Sequence, residues 1–190
     1  MAEGIMIIGG SSSGKSQYAE ELAEAMGREL GFPVYYLATA RVIDEEFAER
    51  VERHRHRRPA AWETIEEPLN LAGALRGLGP KGVICLVDGV GTWMSNLLIE
   101  NPGDQGVGDA EKEKRCLDQV HDFIAAWRSV DGLVIMVADE VGWDLQPEYE
   151  LGRIFVNLNG RANQILARHA REVIFIASGM PICMKGGING

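Results

Sequence analysis

The chain has 190 residues, enough for one α/β domain with a sizeable core. It is 46% hydrophobic and 25% charged, and its formal net charge of −9 argues against a general nucleic-acid or membrane-surface binder. No apolar run approaches a membrane span, and Met1-Ala2-Glu3-Gly4 lacks the basic, apolar pattern of a signal sequence. Cys85, Cys116 and Cys183 are scattered without metal-ligand spacing, two of them inside apolar stretches, so packed thiols in a reducing cytoplasm are expected.

The first apolar run, Ile5–Ile8, reads as a buried strand, and Gly9-Gly10-Ser11-Ser12-Ser13-Gly14-Lys15-Ser16 follows it directly. This is G-x-x-x-x-G-K-S between a strand and a helix. Glycines and small serines let the backbone curl until consecutive N–H groups point at phosphate oxygens, and the next helix turns its positive end to the same anion. Lys15 is expected to reach the β- and γ-phosphates, and the Ser16 hydroxyl to ligate Mg²⁺. A flexible Gly/Ser turn is the bland alternative, but it does not account for Lys-Ser at this place. Tyr18, Leu22, Ala25 and Met26 are spaced for the buried side of the helix that follows.

The second strand is expected at Val34–Ala38, followed by Thr39, Ala40 and then Asp44, a good helix N-cap. From there the chain runs into Arg50-Val51-Glu52-Arg53-His54-Arg55-His56-Arg57-Arg58-Pro59, five arginines and two histidines in an otherwise acidic protein. Three readings compete: a localisation or RNA patch, a solvated helix face, or a cationic cradle for a polyphosphate docked at Lys15. The first lacks interleaved aromatics and has the wrong global charge. Phe47, Val51 and His54 fall at i, i+4 and i+7, which turns His54 toward the body of the protein. There it is either a structural residue or a catalyst, by proton transfer or by attack of a neutral ring nitrogen on phosphorus. Neighbouring arginines disfavour the imidazolium and would neutralise a departing pyrophosphate. His56 ranks after it.

The third strand, Val83–Val87, ends in Asp88-Gly89-Val90-Gly91-Thr92. An acid closing an apolar strand beside a phosphate loop is the usual partner of Mg²⁺, although a helix cap or turn former is the plain alternative for Asp88. A glycine-rich surface connection, Asn101–Gly108, precedes a helix marked by Leu117, Val120, Ile124 and Trp127. Leu133–Val137 is the fourth strand, and Asp139-Glu140-Val141-Gly142 follows it, ranked below Asp88 as a metal partner because Trp143 and Pro147 read as a substrate-facing or lid loop. Leu151, Ile154, Phe155, Leu158, Ala162 and Ile165 mark the last helix, before a fifth strand at Val173–Ala177. Continuous apolar strands alternating with helices imply a parallel sheet covered on both faces, with ligands outside its carboxyl edge. The expected fold is therefore α/β: one three-layer P-loop NTPase-like domain over residues 1–190, a mainly parallel central sheet flanked by helices.

Over nearly its whole length the chain resembles the bifunctional adenosylcobinamide kinase/adenosylcobinamide-phosphate guanylyltransferase family of cobalamin biosynthesis. The residues that carry the resemblance are Gly9 to Ser16, Ala38-Thr39-Ala40, Asp44-Glu45-Glu46 and His54-x-x-x-Arg58-Pro59 with Trp62. They continue through Asp88-Gly89-Val90, Asn96-Leu97-Leu98, Glu140-Val141-Gly142 and Gly160-Arg161-x-Asn163-Gln164. The resemblance implies two reactions. ATP or GTP phosphorylates the hydroxyl of adenosylcobinamide, and a histidine matching His54 takes GMP from GTP and passes it to adenosylcobinamide phosphate, giving adenosylcobinamide-GDP and pyrophosphate. It implies phosphate and metal roles for Lys15, Ser16 and Asp88. It also places Ala38, Thr39, Ala40, Arg55, His56, Arg57, Arg58, Glu66 and Asp88 around the guanine nucleotide, and implies a homotrimer. Two departures are visible. Ser12 stands where the family usually carries arginine, and Phe155-Val156-Asn157 where it commonly reads Phe-Arg-Asp.

Two rival functions remain on the residues alone. One is a simple small-alcohol kinase in which His54 is structural; the other is a nucleotide-switched binding protein. The absence of an Asn-Lys-x-Asp guanine-reading motif lowers the second.

Overall fold

The structure, a computed structural model, describes residues 3–40, 58–79, 82–100, 107–143 and 147–186. In chain order its elements are β1 (Glu3–Gly9), α1 (Lys15–Leu30), β2 (Val34–Ala38), β3 (Glu63–Glu66), α2 (Leu71–Gly77), β4 (Val83–Asp88), α3 (Val90–Glu100), α4 (Asp109–Ser129), β5 (Gly132–Asp139), α5 (Glu150–His169), β6 (Glu172–Ala177) and β7 (Met180–Lys185). The strands form one sheet in the order β3-β2-β4-β5-β1-β6-β7. Every neighbouring pair is parallel except β6 and β7, which form an antiparallel hairpin. Among the described residues no helix is long and apolar enough to cross a membrane.

All five apolar runs are strands, and the two unforeseen strands are the edges. β3 reads Glu-Thr-Ile-Glu and β7 Met-Pro-Ile-Cys-Met-Lys, with no residue of either fully buried. An edge strand need not be apolar throughout, and it tolerates a proline such as Pro181. Central strands are covered on both faces, so their alternate residues feed two separate cores. Ile5, Ile7, Tyr36, Ile84, Leu86, Ile135 and Val137 face α1, whereas Met6, Ile8, Leu37, Cys85, Val87, Val134 and Met136 face the layer of α2 to α5.

Two helix faces differ from expectation in detail. On α1 the fully buried residues are Ala19, Ala23 and Gly27; Tyr18, Leu22 and Met26 flank them half-buried, and Ala25 points outward. The small residues at i, i+4 and i+8 let the helix lie close on the sheet, and the larger ones straddle it. On α5, Leu151 is exposed and Leu166 completes the buried stripe with Leu158 and Ala162. The expected face of α4 is buried throughout at Leu117, Val120, Ile124 and Trp127.

Register aligns the carboxyl ends into one rim. Glu66 is paired with Ala38, Ala38 with Asp88, Asp88 with Val137, and Gly9 with Asp139. Residues far apart in sequence thus converge beside the loop that follows β1.

Candidate active site

The loop from Gly9 to Ser16 is built as its composition requires. Gly14, at φ 97°, caps α1 in the left-handed region, where a side chain would be strained, and its carbonyl accepts from the Tyr18 N–H at 3.0 Å. The Ser13 N–H donates to the Gly10 carbonyl at 3.3 Å, closing the turn. Support comes from the β6–β7 turn, whose Gly179 N–H donates to the Ser13 carbonyl at 2.8 Å. The Ser13 hydroxyl is buried and has no hydrogen-bond partner among the described residues. Such an orphaned group inside an anion nest fits a phosphate oxygen as its missing partner.

Lys15 folds back over this loop. Its ammonium donates to the Gly10 carbonyl at 3.2 Å and pairs with Asp139 Oδ1 at 2.8 Å. The end of β5 is pinned from α5: the side-chain amides of Asn159 and Asn163, one helical turn apart, both donate to the Asp139 carbonyl, at 2.8 and 3.0 Å. Gly91 leaves the room, since a Cβ there would sit 2.8 Å from Asp139 Oδ2. Asp139 is thus an electrostatic partner of Lys15.

Asp88 occupies the other side. The Ser16 hydroxyl donates to its Oδ1 at 3.3 Å, and the Tyr36 hydroxyl donates to its Oδ2. Burial, then the negative charge of Asp88, pushes the Tyr36 phenol far above its ordinary range, so it meets the carboxylate as a proton donor. A serine hydroxyl and a carboxylate oxygen this close suit one small hard cation that also takes phosphate oxygens and water. Among the described residues no cluster of three or more His, Cys, Asp or Glu side chains forms a metal cage. The Ser16–Asp88 donor pair is of the kind that fits Mg²⁺ arriving with a nucleotide.

The β2 end is held to the same rim. Thr39, fully buried, shares its hydroxyl hydrogen between the Gly89 and Asp88 carbonyls at 2.8 and 3.1 Å. Gly89, at φ 108°, makes the sharp turn after the acid, and a Cβ there would meet the Thr39 hydroxyl at 2.6 Å. The Asn96 amide on α3 bridges the Thr39 and Pro68 carbonyls. Ala38 and Thr39 therefore lie beside Asp88, with Ala40 next in the chain, and Glu66, exposed, ends the neighbouring strand. Arg58 is nearly enclosed, its guanidinium carbon 3.2 Å from the centroid of the Tyr36 ring. Arg50, His54, Arg55, His56 and Arg57, with the helix expected from Asp44, lie outside the described residues, as do 101–106 of the glycine-rich connection. Ser12 adopts φ 56° at the exposed tip of the loop; Val156 is half-buried and Asn157 exposed on α5.

Sequence reasoning missed Tyr36, Glu20, Asn159 and the contact role of Asn163. Tyr36 and Glu20 sit in ordinary strand and helix patterns that carry no chemical mark. For Asn159 the signal was a pair of amides at i and i+4 on a helix face otherwise apolar; Asn163 was also marked by the family resemblance, which says nothing of its contact.

Residues 5–184 match the family described as cobinamide kinase / cobinamide phosphate guanyltransferase, CobU. The bifunctional adenosylcobalamin biosynthesis protein CobP of Pseudomonas aeruginosa is 38% identical over 181 residues, covering 95% of this chain and 96% of that protein. CobU of Escherichia coli is 34% identical over 185 residues, covering 95% and 99%. Among solved structures, an ATPase domain superposes with a TM-score of 0.53 at 13% identity, covering 91% of this chain and 68% of its own. The flagellar accessory protein FlaH of Methanocaldococcus jannaschii gives 0.50 at 13% identity, covering 98% and 79%. These likenesses establish a P-loop NTPase fold. With a phosphate loop, a lysine on its acid and a serine–aspartate pair assembled at one rim, and with 5–184 matched throughout, this chain belongs to the cobinamide kinase / cobinamide phosphate guanyltransferase family.

Proposed function

We propose that one nucleotide site serves both reactions of the family, phosphorylation of adenosylcobinamide and guanylylation of its phosphate. The chain is an enzyme of cobinamide phosphorylation and guanylyl transfer. The observation that carries the single-site reading is the Ser16–Asp88 contact at 3.3 Å beside a loop whose lysine is held by Asp139. Bound Mg²⁺ would be held by Ser16 and Asp88 and would screen the phosphate charge. The loop amides and Lys15 grip the polyphosphate, with Lys15 exchanging Asp139 for phosphate oxygens. In the kinase step the acceptor hydroxyl forms a bond to the γ-phosphorus of ATP or GTP, the bond to the β-phosphate oxygen breaks, and the hydroxyl proton is released. In the transfer step a neutral nitrogen of His54 bonds to the α-phosphorus of GTP and pyrophosphate leaves. The acceptor's phosphate oxygen then displaces the histidine, giving adenosylcobinamide-GDP.

Ala38 to Ala40, Glu66 and Arg55 to Arg57 supply the nucleotide's remaining surroundings in this reading, with Arg58 one step back, enclosed against Tyr36. Register supports Ala38 and Glu66, which share the rim with Asp88, and hydrogen bonds to the Asp88 carbonyl support Thr39. The enzyme acts as one domain, in the cytoplasm, as a homotrimer. The exposed apolar residues Met180, Ile182 and Met184 on the edge strand support self-association.

The test is incubation with α-³²P-labelled GTP and Mg²⁺. Protein-bound label that is acid-labile and base-stable is expected, absent from His54→Ala and suppressed in Lys15→Ala, which also loses at least about a hundredfold in kinase turnover. Persistent label in His54→Ala defeats the histidine assignment. A wild-type enzyme that phosphorylates the acceptor and never carries label reduces the protein to a kinase.

A further inference from the structure

Behind the phosphate loop, side chains from four stretches meet: Glu20 on α1, Tyr36 on β2, Arg58 ahead of β3, and Asp88 at the end of β4. Ser16 lies one helical turn before Glu20, so both project from the same side of α1. The Asp88 carboxylate is spanned, with Ser16 donating to Oδ1 at 3.3 Å and Tyr36 to Oδ2. Tyr36 is only 3% exposed. One face of its ring carries the Arg58 guanidinium, 3.2 Å from the centroid, and Arg58 Nε lies 3.8 Å from Glu20 Oε1.

Burying a hydroxyl and a cation together is costly unless each is matched. A phenylalanine would present the same ring to Arg58 and fill the same space, so packing gives no reason for the oxygen. That oxygen has one evident target, the carboxylate oxygen opposite the one that meets Ser16.

We propose that Tyr36 is a positioning residue for Asp88. Its hydroxyl sets the rotation of the carboxylate and keeps Oδ1 turned to the Ser16 side, where Mg²⁺ enters with the nucleotide. Arg58 holds the ring from behind and Glu20 steadies the guanidinium, so the arginine of the His-x-x-x-Arg-Pro stretch serves the metal side through a tyrosine. This rests on the reading of Ser16 and Asp88 as the Mg²⁺ partners. Losing an outer partner of a metal-binding carboxylate weakens metal binding by about ten- to a hundredfold.

The test needs no turnover. Mn²⁺ is titrated into the full chain with a non-hydrolysable GTP analogue, and free Mn²⁺ is read by electron paramagnetic resonance. Tyr36→Phe is expected to bind Mn²⁺ about tenfold more weakly, with analogue affinity in EDTA unchanged. Arg58→Lys keeps the charge beside Glu20 but loses the planar stack, and should shift Mn²⁺ binding in the same direction by less. It also carries the test should Tyr36→Phe fail to fold. Tyr36→Phe within about twofold of the parent overturns the proposal, even with a lowered unfolding temperature, because the residue is then structural only. Asp88→Asn separates the two failures. If it is impaired while Tyr36→Phe is not, the tyrosine's role alone falls; if it binds Mn²⁺ like the parent, the Asp88 reading falls and takes the proposal with it.

Discussion

At the scale of single residues, the rim is organised by polar groups that act on one another's geometry. Asp139 illustrates this: its carboxylate meets Lys15 while its own carbonyl takes two buried amides from α5. Because Asn159 and Asn163 share one acceptor, either alone still satisfies it. Replacing one by alanine should therefore cost about 1 kcal/mol, the net worth of a typical hydrogen bond. Replacing both strips the half-buried Asp139 carbonyl of its two side-chain donors, and the double variant should lose more than the sum of the singles, by roughly 1 kcal/mol. Urea unfolding of the four proteins of this cycle checks it; additive losses would mean that water takes over the carbonyl. The buried thiol of Cys85, pushed up to about 12 by desolvation, adds nothing to this chemistry, since a thiol so placed is an inert core residue.

At the scale of elements, close approach decides how the layers meet. α1 lies on the sheet along Ala19, Ala23 and Gly27, and β1 admits the Trp127 ring of α4 only because residue 4 has no side chain. A Cβ on Gly4 would sit 1.9 Å from a Trp127 ring carbon, inside any contact distance. Gly4→Ala must therefore shift the strand or the indole, at a cost of about 1–3 kcal/mol. The urea midpoint should fall with its slope unchanged. The site should be spared, because Gly4 lies at the opposite end of β1 from the phosphate loop; guanine-nucleotide affinity is the control. The β6–β7 hairpin has the reverse importance, since its turn bonds directly to the loop backbone at Ser13.

At the scale of the whole molecule, the sheet ends in two unlike edges. β3 is short and acidic, which discourages further pairing. β7 instead exposes Met180 and Ile182 at alternate positions, hence on one side, and Met184 beyond them where the register shifts. Ile182 is in register with Phe175, against which the exposed Trp143 packs at 5.4 Å, so the apolar surface continues toward the active rim. Sedimentation of the parent chain should give a trimer, and Ile182→Lys with Met184→Glu should shift it to monomer. A parent that sediments as a monomer at tens of micromolar would refute the homotrimer reading.

Much of this protein was legible before any coordinates. Five central strands announce themselves because a strand covered on both faces must be apolar throughout, and the phosphate loop announces itself because only small residues permit its curl. Asp88 was readable as the acid ending a strand, and the structure puts it against Ser16. Edge strands escaped, since no burial stamps a pattern on them. The order of strands was equally silent: nothing local says that β5 runs between β4 and β1, yet that neighbourhood alone brings Asp139 beside Gly9 and within reach of Lys15. Tyr36 and Asp88 are 52 residues apart, and Asn159 and Asp139 are 20 apart. Periodicity reports which side of an element is covered, whereas these contacts depend on what covers it, and that is decided only when the layers pack.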